Sequence, residues 1–248
     1  MFSPDRKVVI TGNLQGLLSL SASRRLAGRL TANPSDIFVT AHGRTVASMQ
    51  REMPDLPREN VIGFPIYSGT ALSALAGITR AVQRVDDSIV LLPAGTAPRD
   101  VWEFEDVVED AIRVTANQGR ICLIGSPVGS QPLERGVLEV TQWGRAPWSV
   151  THMAPDETRL QSAGKIFAYT GVAVGRAGQI LTWVEEHYPR LAEMAMQAAE
   201  AVEADQWQGT SPMLLNSLWE DVLCRMPDVQ LLGSDSAWEW IAPTQKGA

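Results

Sequence analysis

The order of apolar runs predicts an α/β fold with a Rossmann-like, mixed and mostly parallel sheet covered by helices on both faces. Three observations carry that expectation. Short, wholly apolar runs such as residues 88–92 (SIVLL) and 120–124 (RICLI) alternate with longer segments of helical period. These runs lack the in–out alternation of a half-solvated strand, so they read as strands buried on both faces, as in parallel sheets. After about Gly125 the rhythm changes, and the later strands read as a different, mixed region of sheet.

Each element follows from its residues. Residues 7–11 (KVVIT) read as a strand and 21–31 as a helix rich in Arg, Leu and Ala. A second strand, 36–40 (DIFVT), precedes a helix at 42–52, and a short third strand, 60–63, precedes a helix at 69–84. The fourth strand is 88–92. Residues 100–117 form a strong helix, with Val101, Phe104, Val108, Ala111 and Ile112 on one face. The fifth strand is 120–124. Beyond it, 137–142 and 148–152 read as strands, and 165–174 (KIFAYTGVAV) as a strand with a glycine bend. Residues 179–203 read as helix broken at Pro189, which cannot donate the bond a helix interior needs. A further helix is expected at 212–225, a last strand at 229–232, and a frayed tail at 243–248.

At 248 residues the length suits one large domain. Residues 1–242 are therefore expected to form a single unit, with a first half to 125 and a second from 126 to 242. The net charge of −7 argues against a nucleic-acid partner, which needs clustered Lys and Arg to neutralise phosphates. No basic run offers a membrane patch, and the longest apolar runs fall far short of the ~20 residues of a span. The first residues, MFSPDRKVVITG, do not read as a signal peptide. Only Cys122 and Cys224 occur, and they read as buried free thiols of a reducing compartment, so a cytoplasmic location is expected.

The local motifs are sparse. Thr11-Gly12-Asn13-Leu14-Gln15-Gly16 lies between a strand and a helix, where backbone N–H groups can meet a phosphate. The same two glycines also suit a plain tight turn, and both readings stand. The loop partly matches the T-G-x-x-x-G-x-G pattern of short-chain dehydrogenases, but Leu18 replaces the last glycine. Tyr67, Tyr169 and Tyr188 each lack a lysine four residues on, so that hydride chemistry has no acid. His42, His152 and His187 sit in unrelated segments without metal-ligand spacing. Glu103, Glu105, Asp106, Glu109 and Asp110 read as a solvated helix surface. Of eight tryptophans, seven lie in the second half, and most are expected to pack in the core.

The succession of landmarks resembles the mannose-1-phosphate guanylyltransferase group of sugar-1-phosphate nucleotidyltransferases along nearly the whole chain. Residues 8–21 (VVITGNLQGLLSLS) are similar in frame to that family's first strand and G-G-x-G-T-R-L loop with its following Pro-Leu-Ser. Tyr67-Ser68-Gly69-Thr70-Ala71 resembles a remnant of E-G-R-N-T-A-P, and Leu91-Leu92-Pro93-Ala94-Gly95 resembles L-P-A-D-H. Gly125-Ser126-Pro127 and Glu134-Arg135-Gly136-Val137-Leu138 echo the G-I-x-P-T-x-P-E-T-G-Y-G-Y-I region. Ala168-Tyr169-Thr170-Gly171-Val172-Ala173-Val174 resembles the W-N-S-G-M-F-x-F sugar-site strand; residues 180–189 resemble L-L-E-E-L-E-R-Y-x-P, and Ser234-Asp235-Ser236-Ala237-Trp238 resembles D-V-G-S-W. Seven such landmarks in the right order are hard to produce by chance.

The resemblance implies a nucleotide-diphospho-sugar transferase fold of GT-A type. It also implies a nucleotide-binding set of Thr11, Gly12, Asn13, Gln15, Gly16, Ser68, Gly69, Thr70, Pro93, Ala94 and Gly95, and a sugar-site set of Glu134, Gly136, Tyr169, Thr170 and Gly171. The departures fall on chemistry. Leu17 or Leu18 replaces the loop arginine, Gly95 and Ser234 stand for the two metal aspartates, and Ala146 stands for the lysine of E-K-P. Metal ions and cations supply most of the charge stabilisation in nucleotidyl transfer, and one lost donor of this kind costs ~100- to 1000-fold. The expectation is therefore an inactive, degenerate member with no catalytic residues and no metal. It would bind a nucleotide or nucleotide sugar, or pair with itself or with an active homologue. The competing expectation is an active transferase holding Mg²⁺ through Asp235, Asp100 or Glu134.

Overall fold

The computed structural model describes residues 6–11, 17–64, 69–94, 96–128, 136–141, 146–154, 165–201, 217–234 and 238–240. Four parallel strands start the sheet: β1 (Arg6–Thr11), β2 (Ile37–His42), β3 (Val61–Phe64) and β4 (Ser88–Pro93), in the order β3-β2-β1-β4. Between them run α1 (Leu17–Leu30), α2 (Gly43–Glu52) and α3 (Thr70–Ala81). A short strand β5 (Thr96–Pro98) leads to α4 (Val101–Gln118), and β6 (Cys122–Pro127) returns to the sheet. Then follow β7 (Val137–Thr141), β8 (Trp148–Ala154), β9 (Lys165–Arg176), α5 (Ala177–His187), α6 (Pro189–Glu200), β10 (Gln230–Gly233) and β11 (Trp238–Trp240).

The sheet has helices on both faces, as expected, but it is mixed: among the described residues four of its strand pairings are parallel and five antiparallel. Phe38, Leu91 and Leu123 pack with α3, α5 and α6 on one face. Ile10, Val39, Val90 and Ile124 pack with α1, α2 and α4 on the other. Helix α4 shows why its segment is helical. Buried Phe104, Val108, Ala111, Ile112 and Thr115 repeat at helical spacing, Asp100 caps the start and Gly119 (φ 64°) ends it in the left-handed conformation. Pro189 opens α6 at its first turn, where its missing N–H costs nothing, so the expected break at this proline is a boundary between two helices.

The second half departs from an open sheet. Strand β9 inserts antiparallel between β4 and β6, and β10 lies parallel beyond β6. Pairings β9–β6, β6–β10, β10–β8, β8–β7 and β7–β9 then close a ring of five strands. The cause is local. Against β6, the register of β9 jumps from Leu123↔Ala173 to Gly125↔Tyr169, so β9 carries two extra residues there. Gly171 within the bulge has φ 86°, and a bulge bends its strand. The early half of β9 therefore leaves β4 and reaches β7. Inside the ring Phe167 stacks on Trp148, with centroids 5.4 Å apart. Gly125 and Gly233 leave the room: a Cβ on Gly125 would lie 2.8 Å from Phe167 Cβ, and one on Gly233 3.1 Å from Trp148 Cζ3.

Several boundaries differ from the sequence expectation. The helix expected over 212–225 is, in its described part, a π-helical turn (Leu218–Val222) and a 3-10 turn (Leu223–Arg225). Strands β5 and β11 pair antiparallel as a separate ribbon that no local sequence pattern had indicated. Cys122 is buried as expected, whereas Cys224 is half-buried. Trp102 departs from the expected core packing: it is 71% exposed, with the Arg29 guanidinium 4.2 Å from its ring centre. Glu105 and Glu109 on the same helix bond Arg29 and Arg6, so this acidic surface is tied to α1 and β1. No described helix is long and apolar enough to cross a membrane.

Candidate functional site

The connection from β1 runs to β2 on one side, while β4 takes the place on the other side of β1. In such sheets the crevice beyond the C-terminal ends of these two strands is where ligands bind. Thr11 and Pro93 are register partners there, and the Ala94 N–H donates to the Thr11 carbonyl at 2.9 Å. Three expected residues, Thr11, Pro93 and Ala94, are thus brought together. Much of their polar capacity is already used: Thr11 Oγ1 donates to the Leu92 carbonyl at 3.3 Å, and Ser23 Oγ of α1 donates to the Pro93 carbonyl at 3.1 Å. Gly12, Asn13, Gln15, Gly16, Ser68, Gly95 and Glu134 lie outside the described residues.

Gly69 and Thr70 start α3, after β3 and on the opposite face of the sheet from α1. Gly69 is buried, and Thr70 Oγ1 accepts the Leu218 N–H at 3.0 Å. The start of α3 is therefore latched to the π-helical turn. The sugar-site residues also meet: the Tyr169 N–H donates to the Gly136 carbonyl at 3.1 Å. Thr170 Oγ1 donates to the Ile124 carbonyl at 2.7 Å and accepts the Val172 N–H at 3.2 Å, which ties the β9 bulge together. Tyr169 packs in the core on the α3 face, and Gly171 provides the positive φ of the bulge. In the described structure these two act on the fold of β9.

A different set of polar groups gathers at the tips of β6 and β10, both parallel to β1 and β4 and ending at the same edge. Gly233 pairs with Gly125, and the Ser234 N–H donates to the Gly125 carbonyl at 2.8 Å. Ser126 and Ser234 therefore stand side by side. Ile124 and Leu232, two residues earlier, face α4, and the two-residue repeat of a strand turns both serines the same way. Ser234 Oγ donates to Glu103 Oε1, in the first turn of α4, at 2.9 Å. A carboxylate at a helix start is favoured by the N–H groups exposed there. Ser126 and Ser234 are each only 2% exposed.

Glu103 corrects the reading of the α4 acids as uniform solvated surface. The signal was available in part, since Asp100 and Glu103 have the spacing of a cap and its N3 partner. That Glu103 reaches β10 needed the tertiary structure. Asp100 is the N-cap: one of its oxygens accepts the N–H groups of Trp102 at 2.9 Å and Glu103 at 3.1 Å. Among the described residues no group of three His, Cys, Asp or Glu side chains could hold a metal ion. Lys165, at the start of β9, stands 5.5 Å from the Trp148 ring centre and 5.1 Å from that of Phe167.

No family model and no curated protein matches the sequence. Solved structures do match the fold. One, described as mannose-1-phosphate geranyltransferase from Thermus thermophilus, aligns with a TM-score of 0.75 at 14% identity over 95% of this chain and 76% of its own. Another, described as mannose-6-phosphate isomerase from Helicobacter pylori, aligns with a TM-score of 0.72 at 14% identity over 95% of this chain and 99% of its own. A UTP-bound UGPase from Acinetobacter baumannii aligns with a TM-score of 0.54 at 10% identity over 97% of this chain and 90% of its own. The chain shares the α/β fold of these sugar-phosphate and nucleotide enzymes.

Proposed function

We propose that this protein binds a nucleotide or nucleotide sugar at the C-terminal edge of the sheet and does not catalyse nucleotidyl transfer, acting alone or as the partner of an active enzyme. The fold supports the ligand class, because neighbours of the same fold are named for sugar phosphates and one holds UTP. The nucleotide end would use Thr11, Gly12, Asn13, Gln15, Gly16, Ser68, Gly69, Thr70, Pro93, Ala94 and Gly95. The sugar end would lie toward Glu134 and Gly136. The observation that carries the inactive reading is the tip of β10. Where the resemblance implies a metal carboxylate the chain has Ser234, whose hydroxyl is bonded to Glu103. A neutral hydroxyl cannot share the charge of a divalent cation with a triphosphate, and that charge is the main means of lowering the barrier.

Calorimetry with GTP and GDP-mannose, with and without Mg²⁺, tests binding, and pyrophosphate release from GTP and mannose-1-phosphate tests turnover. The expected result is saturable heat with GDP-mannose and no pyrophosphate. Absence of heat at millimolar ligand would leave only the partner role.

One observation favours a second reading. Glu103 places a carboxylate at the edge where a metal would be needed, so an active site rewired through Glu103, with Asp235 or Glu134, would be Mg²⁺-dependent. Asp100 fits that role poorly, because capping α4 occupies it. Mg²⁺-dependent pyrophosphate release abolished by Glu103→Gln would establish the active reading and refute ours.

A further inference from the structure

Helices α1 and α4 lie side by side on one face of the sheet and touch. Each runs back against the parallel strand it follows, so the two helices point the same way. Their outer face carries an aromatic side chain in water. Trp102, in the first turn of α4, is the most exposed large apolar side chain among the described residues, at 71%. Its ring is held in place: the Arg29 guanidinium of α1 lies 4.2 Å from the ring centre and is itself bonded to Glu105. Trp and Arg are the side chains that most often dominate interface energy, and a pre-ordered pair loses less freedom on docking. The charges beside this pair are ordered. Arg25 stands one turn before Arg29, and Asp106 one turn after Trp102. Both are exposed, and neither side chain makes an ion pair or hydrogen bond among the described residues. Along the parallel helices the strip therefore reads positive, aromatic, negative, in steps of about 5–6 Å.

We propose that this strip is a docking surface for a second copy of the chain, related by a two-fold axis through Trp102. In a two-fold contact, residue i of one copy meets residue j of the other, and j meets i. A half-turn about Trp102 reverses the strip, so each Arg25 faces the partner's Asp106 and the two indole rings meet at the centre. A uniformly acidic or basic partner would leave one of these charges against its like. A second copy satisfies both at once. The helices span about 21 Å and 27 Å with axes about 8–10 Å apart, which gives a face on the order of 20 by 20 Å, or about 800 Å² over both copies. That falls below the ~1,200 Å² of stable complexes, so the dimer is weak, with a dissociation constant on the order of 10–100 µM. The inference is independent of what the edge of the sheet binds.

The test is sedimentation velocity of the full chain, without nucleotide, from about 5 to 500 µM, a range that brackets a weak dimer. The weight-average mass is expected to rise from 27.0 kDa toward twice that value. Raising NaCl from about 0.05 to 0.5 M should weaken association about threefold or more, because exposed charges are screened. Trp102→Ala, Arg25→Asp and Asp106→Arg should each weaken it about tenfold or more. Thermal melts check that the variants are folded, as substitutions of exposed side chains should leave them. The decisive sample is an equimolar mixture of the Arg25→Asp and Asp106→Arg chains. Across the two-fold axis that mixture restores opposite charges at both contacts, so it should associate as the unaltered chain does although neither variant does so alone. A chain that stays monomeric at every concentration, a dimer indifferent to the three substitutions, or a mixture no better than its components would overturn the inference.

Discussion

Replacing Gly77 by alanine sets two effects against each other, and the structure decides between them. Gly77 lies inside α3, where alanine is favoured over glycine by about 1 kcal/mol. Helix propensity alone therefore predicts a stabilised protein. The added Cβ would lie 2.5 Å from Val9 Cγ1 and 3.1 Å from Thr40 Cγ2. Comfortable carbon contacts are about 3.5–4.0 Å, so relief needs a shift of roughly 1 Å. Val9 is fully buried on β1, held between β2 and β4, and is β-branched, so it has little room to retreat. Overpacking of this kind costs about 1–3 kcal/mol and occasionally more. A contact as short as 2.5 Å puts the cost at the upper end of that range, about 2–3 kcal/mol, so after the propensity gain we expect a net loss of about 1–2 kcal/mol, or a fall in Tm of roughly 2–8 °C for a chain of this size.

Urea unfolding followed by circular dichroism measures that loss, and the double substitution isolates its cause. In a Val9→Ala background, where Cγ1 is gone, Gly77→Ala should show its helix-propensity gain of up to about 1 kcal/mol, giving a coupling of about 2–3 kcal/mol. A Gly77→Ala protein that is more stable than the parent, or a coupling below about 0.3 kcal/mol, would refute the reasoning that α3 and β1 are packed to contact at this point.

Two further outcomes follow from the same structure. Asp100→Ala removes the cap of α4 and should cost about 1 kcal/mol, read as a Tm drop of roughly 2–4 °C in melts, with no change in ligand affinity; a large affinity loss without a stability loss would return Asp100 to the site. Burial raises the Cys122 thiol from 9.0 to about 11, against smaller lowering effects from the Thr115 hydrogen bond and Arg120. The folded chain then keeps the proton while the unfolded chain releases it, so stability is full below pH 9 and falls between pH 9 and about 11. The loss attributable to this thiol is about 2–3 kcal/mol at most. Urea titrations across that window should show a shallower fall for Cys122→Ala, and identical slopes would show that the thiol ionises freely in the fold.

Local patterns in the sequence determined much of this protein. The apolar runs, the helical spacing in α4, the break at Pro189 and the bend around Gly171 each state their conformation within a few residues, because burial on both faces, periodicity and backbone restriction are local properties. The resemblance in landmark order likewise led to the α/β fold that the solved structures share. Pairing was not legible. That β9 enters between β4 and β6, that its bulge closes a ring with β7, and that β5 meets β11 all depend on residues far apart in the chain. No local pattern specifies a partner across such a distance. The site divides the same way. That Thr11, Pro93 and Ala94 meet follows from their ending adjacent parallel strands, and the resemblance in landmark order had grouped them. The Ser126–Ser234–Glu103 set was not legible, since it joins the ends of two strands to the first turn of a helix more than a hundred residues before Ser234. Hydrogen-bond partners and the strength of a carboxylate's surroundings are fixed only when the chain is packed, and packing turned what reads in sequence as one more surface glutamate into part of a buried polar corner.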